Sequence, residues 1–199
     1  MDKEDDVTMT AQIADEYKVS GKKYEIIAMS APVTFDPSDY GFHPTAPHTA
    51  CWRGYWCDYK VTSKQLMLDK LHIYCGDDCY PVFRGVTPQN DPVGGGSMKL
   101  YKGLNQLVDY DGSLVLGRGF INRYYIHMGF QRAWAYEEVK ELVFEHGMVV
   151  RTVDHSDFVA ALREQIDHDP KFMNDLQDNI IKFVHDSFSL DAKTKAWWI

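Results

Sequence analysis

No apolar run in this 199-residue chain approaches the ~18 residues that a membrane-spanning helix needs, so no such helix is expected. The opening residues, MDKEDDVTMTAQ, carry acids where a secretion signal carries an apolar stretch. A basic excess is also missing. The chain has 21 Lys and Arg against 29 Asp and Glu, a formal net charge of -8, so no general affinity for nucleic acid is expected. Cysteine is scarce, with four in the whole chain, which excludes a disulfide-stapled scaffold. A cytoplasmic location follows as the expectation, and thiols there stay reduced. Neither GxxxxGK[ST] nor GxGxxG occurs, and no repeat of fixed period is visible.

What is present is the composition of a globular domain, 45% hydrophobic and 25% charged, long enough to bury a core. Residues 1–15 read as a disordered acidic leader, 16–155 as one antiparallel β domain, and 156–199 as a helical segment packed on it. Ser20-Gly21-Lys22 predicts a hairpin between 16–19 and 24–29. Strands are expected over 50–61 and 65–75, turning at Thr62-Ser63-Lys64. Asp111-Gly112 and His146-Gly147 predict two further hairpins, because glycine accepts the positive φ of such turns. Asp154 or Ser156 can cap a helix with Phe158, Leu162 and Ile166 on one stripe. Asp169-Pro170 opens a second, with Leu176, Ile180 and Val184 aligned. The expected fold class is therefore α+β. It is a mainly antiparallel sheet, curled, closed into a barrel or folded into two layers, with two C-terminal helices.

The segment from His48 to Cys79 holds all four cysteines. If Val61 faces Gln65, then Cys51 faces Cys75 and Arg53 faces Ile73, and His48 and Cys79 leave the same end. His48, Cys51, Cys75 and Cys79 would then offer zinc a tetrahedral set. The spacing lacks paired CxxC knuckles, so the favoured reading is reduced cysteines acting as small hydrophobes, with no cofactor. A catalytic thiol would need a base such as His48 or His72 beside it.

Residues 112–136 contain no Asp or Glu. They carry Arg118, Arg123, Arg132 and His127 among six aromatic residues, and Arg53 with Tyr55 and Trp56 repeats that chemistry. Guanidinium forks and aromatic faces suit an anionic, ring-bearing ligand. The candidate binding residues are Arg53, Tyr55, Trp56, Tyr124, Tyr125, His127, Arg132 and Trp134. The competing reading is that the aromatics are core and the arginine stems cover them.

The runs GFHPTAPHTACWRGYWCDY, YPVFRGVTP and YYIHMGFQRAWAYEEVKELVFEHGMV together resemble a group of bacterial cytoplasmic proteins with no assigned activity. The resemblance implies a single bacterial domain and supplies no catalytic residues. Two functions remain open. The first is a non-enzymatic binding protein that engages a partner protein or sequesters a small anionic ligand, of the immunity or anti-defence type. The alternative is an enzyme acting on a nucleotide-like or other anionic metabolite, with His127 as acid or base and Arg53 and Arg132 as the clamp. Neither nucleic acid nor membrane is an expected partner.

Overall fold

The computed structural model describes residues 10–32, 35–76, 80–168 and 189–191. Nine strands form one sheet: β1 (Glu16–Val19), β2 (Lys22–Met29), β3 (Tyr55–Thr62), β4 (Gln65–Ile73), β5 (Gln89–Asn90), β6 (Lys99–Leu107), β7 (Gly112–Phe120), β8 (Tyr136–Glu145) and β9 (Met148–Asp154). A single α-helix, α1 (Ser156–His168), is present among the described residues. The second expected helix, after Asp169-Pro170, lies outside them, as does Cys79.

The strands run β3-β1-β2-β7-β8-β9-β4, and β4 pairs back onto β3, which closes a ring. The closing seam is short. It consists of Gln65 opposite Met148, with Leu66 N–H donating to Gly147 O and Val149 N–H to Lys64 O, both at 2.8 Å. Beyond the seam β6 takes the remaining edge of β4, and β5 pairs with β6. One pair, β1 with β3, is parallel, so the sheet is mixed rather than purely antiparallel.

Alternation along the strands sorts side chains into two cores. Leu114, Leu116, Leu142, Phe144, Ile26, Tyr17 and Tyr59 fill the ring interior. Their neighbours Val115, Ile27 and Val139 face outward, where Trp134, Val159 and Ile166 cover them. On β4 the inward set is Leu66 and Leu68, then Leu71 and Ile73. The change of parity comes from a one-residue bulge at Asp69, since Tyr59 faces Leu68 while Asp58 faces Lys70.

The register departs from the expected one by two residues: the turn supplies one, since Thr62 rather than Val61 lies opposite Gln65, and the bulge supplies the other. Tyr55, not Arg53, lies opposite Ile73, and β3 starts only at Tyr55. Cys51 therefore sits in a turn before the strand, where Gly54 N–H donates to its carbonyl at 3.1 Å. The hairpins at Ser20-Gly21 and His146-Gly147 form as expected. The one at Asp111-Gly112 does not. β6 spends its edges on β4 and β5, and β7 spends its edges on β2 and β8. Asp111 instead accepts the His146 N–H at 2.7 Å, and Tyr110 O accepts Gly147 N–H at 2.9 Å, which ties residues 110–111 to the β8–β9 turn. In α1 the Asp154 side chain caps Ser156 N–H at 2.9 Å. The buried stripe is Val159 and Ile166, while Phe158 is 53% exposed.

Part of the expected leader is ordered. Gln12 N–H donates to Gly129 O and Ile13 N–H to Ala50 O, each at 2.8 Å, so residues 10–15 are held against the barrel. Residues 189–191 lie along the end of β2, where Met29 N–H donates to Leu190 O at 2.6 Å.

Candidate functional site

The site is built around a carboxylate that the sequence reading passed over. Asp15 is 5% exposed, although it belongs to the acidic leader. The pinning of residues 12 and 13 places it just before β1, inside the ring wall. Arg53 reaches it with both terminal nitrogens, Nη2 to Oδ1 at 2.9 Å and Nη1 to Oδ2 at 3.3 Å. Cys57 N–H donates to the same Oδ1 at 2.9 Å. The fork geometry is the strong form of an arginine–carboxylate pair. Burial opposes the charge on Arg53, and Asp15 outweighs it, so the guanidinium pKa is raised. Arg53 also lies over the Tyr55 ring, 5.1 Å from its centroid.

The turn that presents Arg53 depends on Gly54. Its φ is +75°, and a Cβ there would come within 2.6 Å of the Thr45 backbone. Thr45 N–H donates to Tyr74 O and Tyr74 N–H to Gly54 O, which fixes the loop against the end of β4.

Next to this pair is a cavity of about 570 Å³. Its wall is apolar and aromatic, with Met29, Ala31, Phe35, Tyr59, Phe130 and Leu190 among the lining residues. Its polar groups are Asp15, Arg53, Ser30, Tyr55 and Asp191. Ser30 Oγ accepts the Ser113 N–H at 2.7 Å, and Tyr110 OH donates to Ala31 O at 2.9 Å, so the rim is braced by β7 and its approach. Burial pushes the Tyr55 hydroxyl up to about 12, so it remains a neutral donor at physiological pH.

Of the eight expected binding residues, Arg53 and Tyr55 line this cavity. Phe130, from the acid-free window, joins them. The other six lie elsewhere. Trp56 stacks on His72 on the outer face of β3 and β4, with centroids 4.6 Å apart. Tyr124 donates to Asp167 of α1 at 2.9 Å. Tyr125 and His127 are exposed and meet edge to face at 4.8 Å. Arg132, 4% exposed, and Trp134 are buried at the short turn before β8, where Trp134 belongs to the outer core.

Two of the arginines in residues 112–136 meet acids that are distant in the chain. Arg118 faces Glu138 across the β7–β8 pair and bonds it at 3.1 Å, and Arg123 bonds Asp167 at 2.7 Å. Glu138 collects Lys140, Tyr24 and Arg118 around one carboxylate, which hold its pKa down to about 2, with Lys140 the largest cause.

The proposed zinc set is not assembled among the described residues. His48 is exposed, and Cys51 and Cys75 are buried. Cys51 packs with Trp56 and Met98, which suits the role of small hydrophobe. Burial pushes the thiols of Cys51 and Cys57 up, so neither is a ready thiolate. The one close group of potential ligands among the described residues is Asp109, Asp111 and His146, all exposed at the β8–β9 turn. No family model, curated protein or solved structure matches the chain.

Proposed function

We propose that the protein binds a small, largely apolar, ring-bearing molecule in the cavity beside Asp15 and Arg53, without chemistry on it. One observation carries this reading: a concave space of about 570 Å³ with aliphatic and aromatic walls and few polar groups. That volume and lining suit a small ligand better than a partner protein, which engages a broader and flatter face. Binding rather than catalysis is favoured because, among the described residues, no histidine or cysteine lines the cavity. Its serine, Ser30, has its oxygen engaged by a backbone N–H.

The lining also argues against an anion as the ligand of this cavity. Asp15 already matches the charge of Arg53, and Asp191 adds a second carboxylate to the lining. A guanidinium has five N–H donors and Asp15 engages two of them, which leaves three, enough for a further, neutral acceptor. A carbonyl or amide oxygen on an aromatic body fits that corner, with the ring against Phe35, Tyr59 or Phe130.

The test is calorimetric titration with aromatic amides, aromatic carboxylates and alkylamines, on wild type and on Ala31→Trp. That substitution fills the apolar side of the cavity without touching the ion pair. Neutral aromatic amides are expected to bind the wild type best, and Ala31→Trp to abolish binding while its circular dichroism stays native. Failure of every neutral aromatic to bind, or equal binding to Ala31→Trp, would reject the reading.

A further inference from the structure

The closed ring leaves one strand edge open. β9 pairs with β8 along its length, but on its other side only Met148 meets β4, opposite Gln65. Val149 N–H makes the last bond of that seam, to Lys64 O. From Val150 onward β9 runs past the β3–β4 turn, with no strand beside that edge among the described residues. The ladder fixes which groups this leaves. His155 N–H donates to Val139 O at 2.8 Å. Bonded and non-bonded partners alternate in an antiparallel pair, so Arg151 and Val153 bond to β8. Thr152, opposite Leu142, points its N–H and C=O the other way, toward the open edge. Neither group meets another backbone group among the described residues.

An unpaired edge is a template for another strand. This one borders an opening of about 610 Å³, between Val149 and Thr152 on one side and the tips of the β1–β2 and β3–β4 hairpins on the other. The two faces of the wall differ there. Val19, Val61, Leu142 and Val149 turn toward the ring interior. Lys18 and Arg151 stand on the outer face and Lys64 in the turn, all exposed. No carboxylate pairs with these three cations among the described residues, whereas Asp69 and Asn105 engage Lys60. An extended segment has the matching period of two, so its inward side chains meet the apolar face and its outward ones the cations. The bulge at Val150 twists the edge away from a flat sheet, which favours one added strand over the wall of a second barrel.

We propose that the open edge of β9 docks an extended peptide segment of a partner protein, in which apolar and acidic residues alternate. The segment adds as one strand across the opening. Its backbone bonds the N–H and C=O of Thr152, its apolar side chains close the ring interior, and its carboxylates lie beside Lys18, Lys64 and Arg151. The edge lies at the opposite end of β1 and β3 from Asp15 and Arg53, and it does not depend on the ligand proposed there.

The probe is a capped hexapeptide of alternating valine and glutamate, titrated at low salt by calorimetry and followed by amide exchange. A valine–lysine peptide and an N-methylated form of the first are the controls. Saturation with the valine–glutamate peptide should slow exchange at Thr152 at least about tenfold. The lysine peptide should bind more weakly and the N-methylated one not at all. Proline at Thr152 removes the edge N–H and none of the β8–β9 bonds, so Thr152→Pro should keep its circular dichroism and lose binding. Should that variant fail to fold, the N-methylated peptide makes the same test on the wild type. Lys18→Ala/Lys64→Ala should weaken binding about fivefold, the effect of two exposed charge contacts. Absence of binding, binding that survives N-methylation, or equal binding of the lysine peptide overturns the proposal. So does protection of Thr152 that rises with protein concentration alone, which would give the edge to a second copy of the chain.

Discussion

His72 Nδ1 lies 2.7 Å from Asp91 Oδ2, and both side chains are buried. On the other side of the ring, Nε2 is 3.5 Å from Asp58 Oδ1, and Asp58 in turn accepts from Lys70. Trp56 lies flat on the imidazole, with 11° between the planes. These contacts follow from register, because Trp56 faces His72 and Asp58 faces Lys70 across β3 and β4. Asp91 comes from the loop after β5, where it also accepts the Val93 N–H at 2.9 Å. The imidazole thus joins the β3–β4 wall to the β5–β6 connection.

The first prediction is a pH dependence of stability. Burial alone would lower the pKa of His72, but Asp58 and Asp91 outweigh it and the pKa is raised. A raised folded pKa contributes stability that is fully present below the ordinary value of about 6.5 and is lost as pH rises through the folded value. Asp58 works the other way. Burial raises its pKa, His72 and Lys70 outweigh this, and the value is lowered. Its contribution is present above the ordinary carboxylate value and is lost as pH falls through the folded one. Urea unfolding should show stability declining as pH rises above about 6.5, and His72→Gln should remove that slope. A slope that persists in His72→Gln would assign the effect to other groups. Asp91→Asn, which takes away the nearer of the two carboxylates beside a buried charge, should cost about 2 kcal/mol near pH 6.

Arg53 and Asp15 give an asymmetric pair of substitutions. The Arg53 side chain is 34% exposed, so without Asp15 it can turn to solvent. Asp15 cannot, and without Arg53 its buried carboxylate keeps only the Cys57 N–H. Arg53→Ala is therefore expected to destabilise by about 3 kcal/mol, and Asp15→Asn by about half of that. The double variant should cost clearly less than the two single effects combined. Additive denaturation midpoints would mean the pair is not coupled.

Local chemistry carried much of the fold into the sequence. The turns at Ser20-Gly21 and His146-Gly147 and the start of α1 depend on residues close together in the chain, and each formed where its residues predict. Strand partners are a different matter. The parallel β1–β3 pair, the divorce of β6 from β7 and the bulge at Asp69 depend on which edges compete in the closed ring, and no local pattern encodes that competition. The candidate site shows the same limit. Arg53 and Tyr55 stood out by residue type, whereas Asp15 lay within an acidic run that reads as solvated leader. Its only distinguishing mark is position, immediately before a tyrosine-bearing strand. The acid-free window misled for a related reason, since Arg118 and Arg123 found acids from β8 and α1 that are distant in the chain.

Thiol labelling gives a third check. Burial pushes the Cys51 and Cys57 thiols up, and the second also feels the Asp15 carboxylate. Neither is expected to react with iodoacetamide at neutral pH on the timescale of a free thiol. Both should label once urea unfolds the chain. Peptide mapping that finds Cys57 alkylated in the native protein would place it in an opening that the closed ring does not provide.

The last prediction concerns the seam that closes the ring. Gly147 has φ of +71°, and a Cβ there would stand 2.2 Å from Val108 O. Its own groups hold the seam, with the carbonyl accepting Leu66 N–H and the N–H donating to Tyr110 O. Gly21 has a similar φ of +81° in the β1–β2 turn but nothing within 4 Å of a Cβ. Alanine at Gly21 should cost only the backbone term, about 1 kcal/mol. Alanine at Gly147 pays that same term and must also displace the backbone at Val108, which is rigidly held because Val108 N–H donates to Leu66 O. A loss of more than about 3 kcal/mol is expected there. Amide exchange at Leu66 and Val149, the two seam donors, should rise selectively in Gly147→Ala. Equal costs for the two alanines, or unchanged exchange at the seam, would mean that the ring closes by contacts other than these.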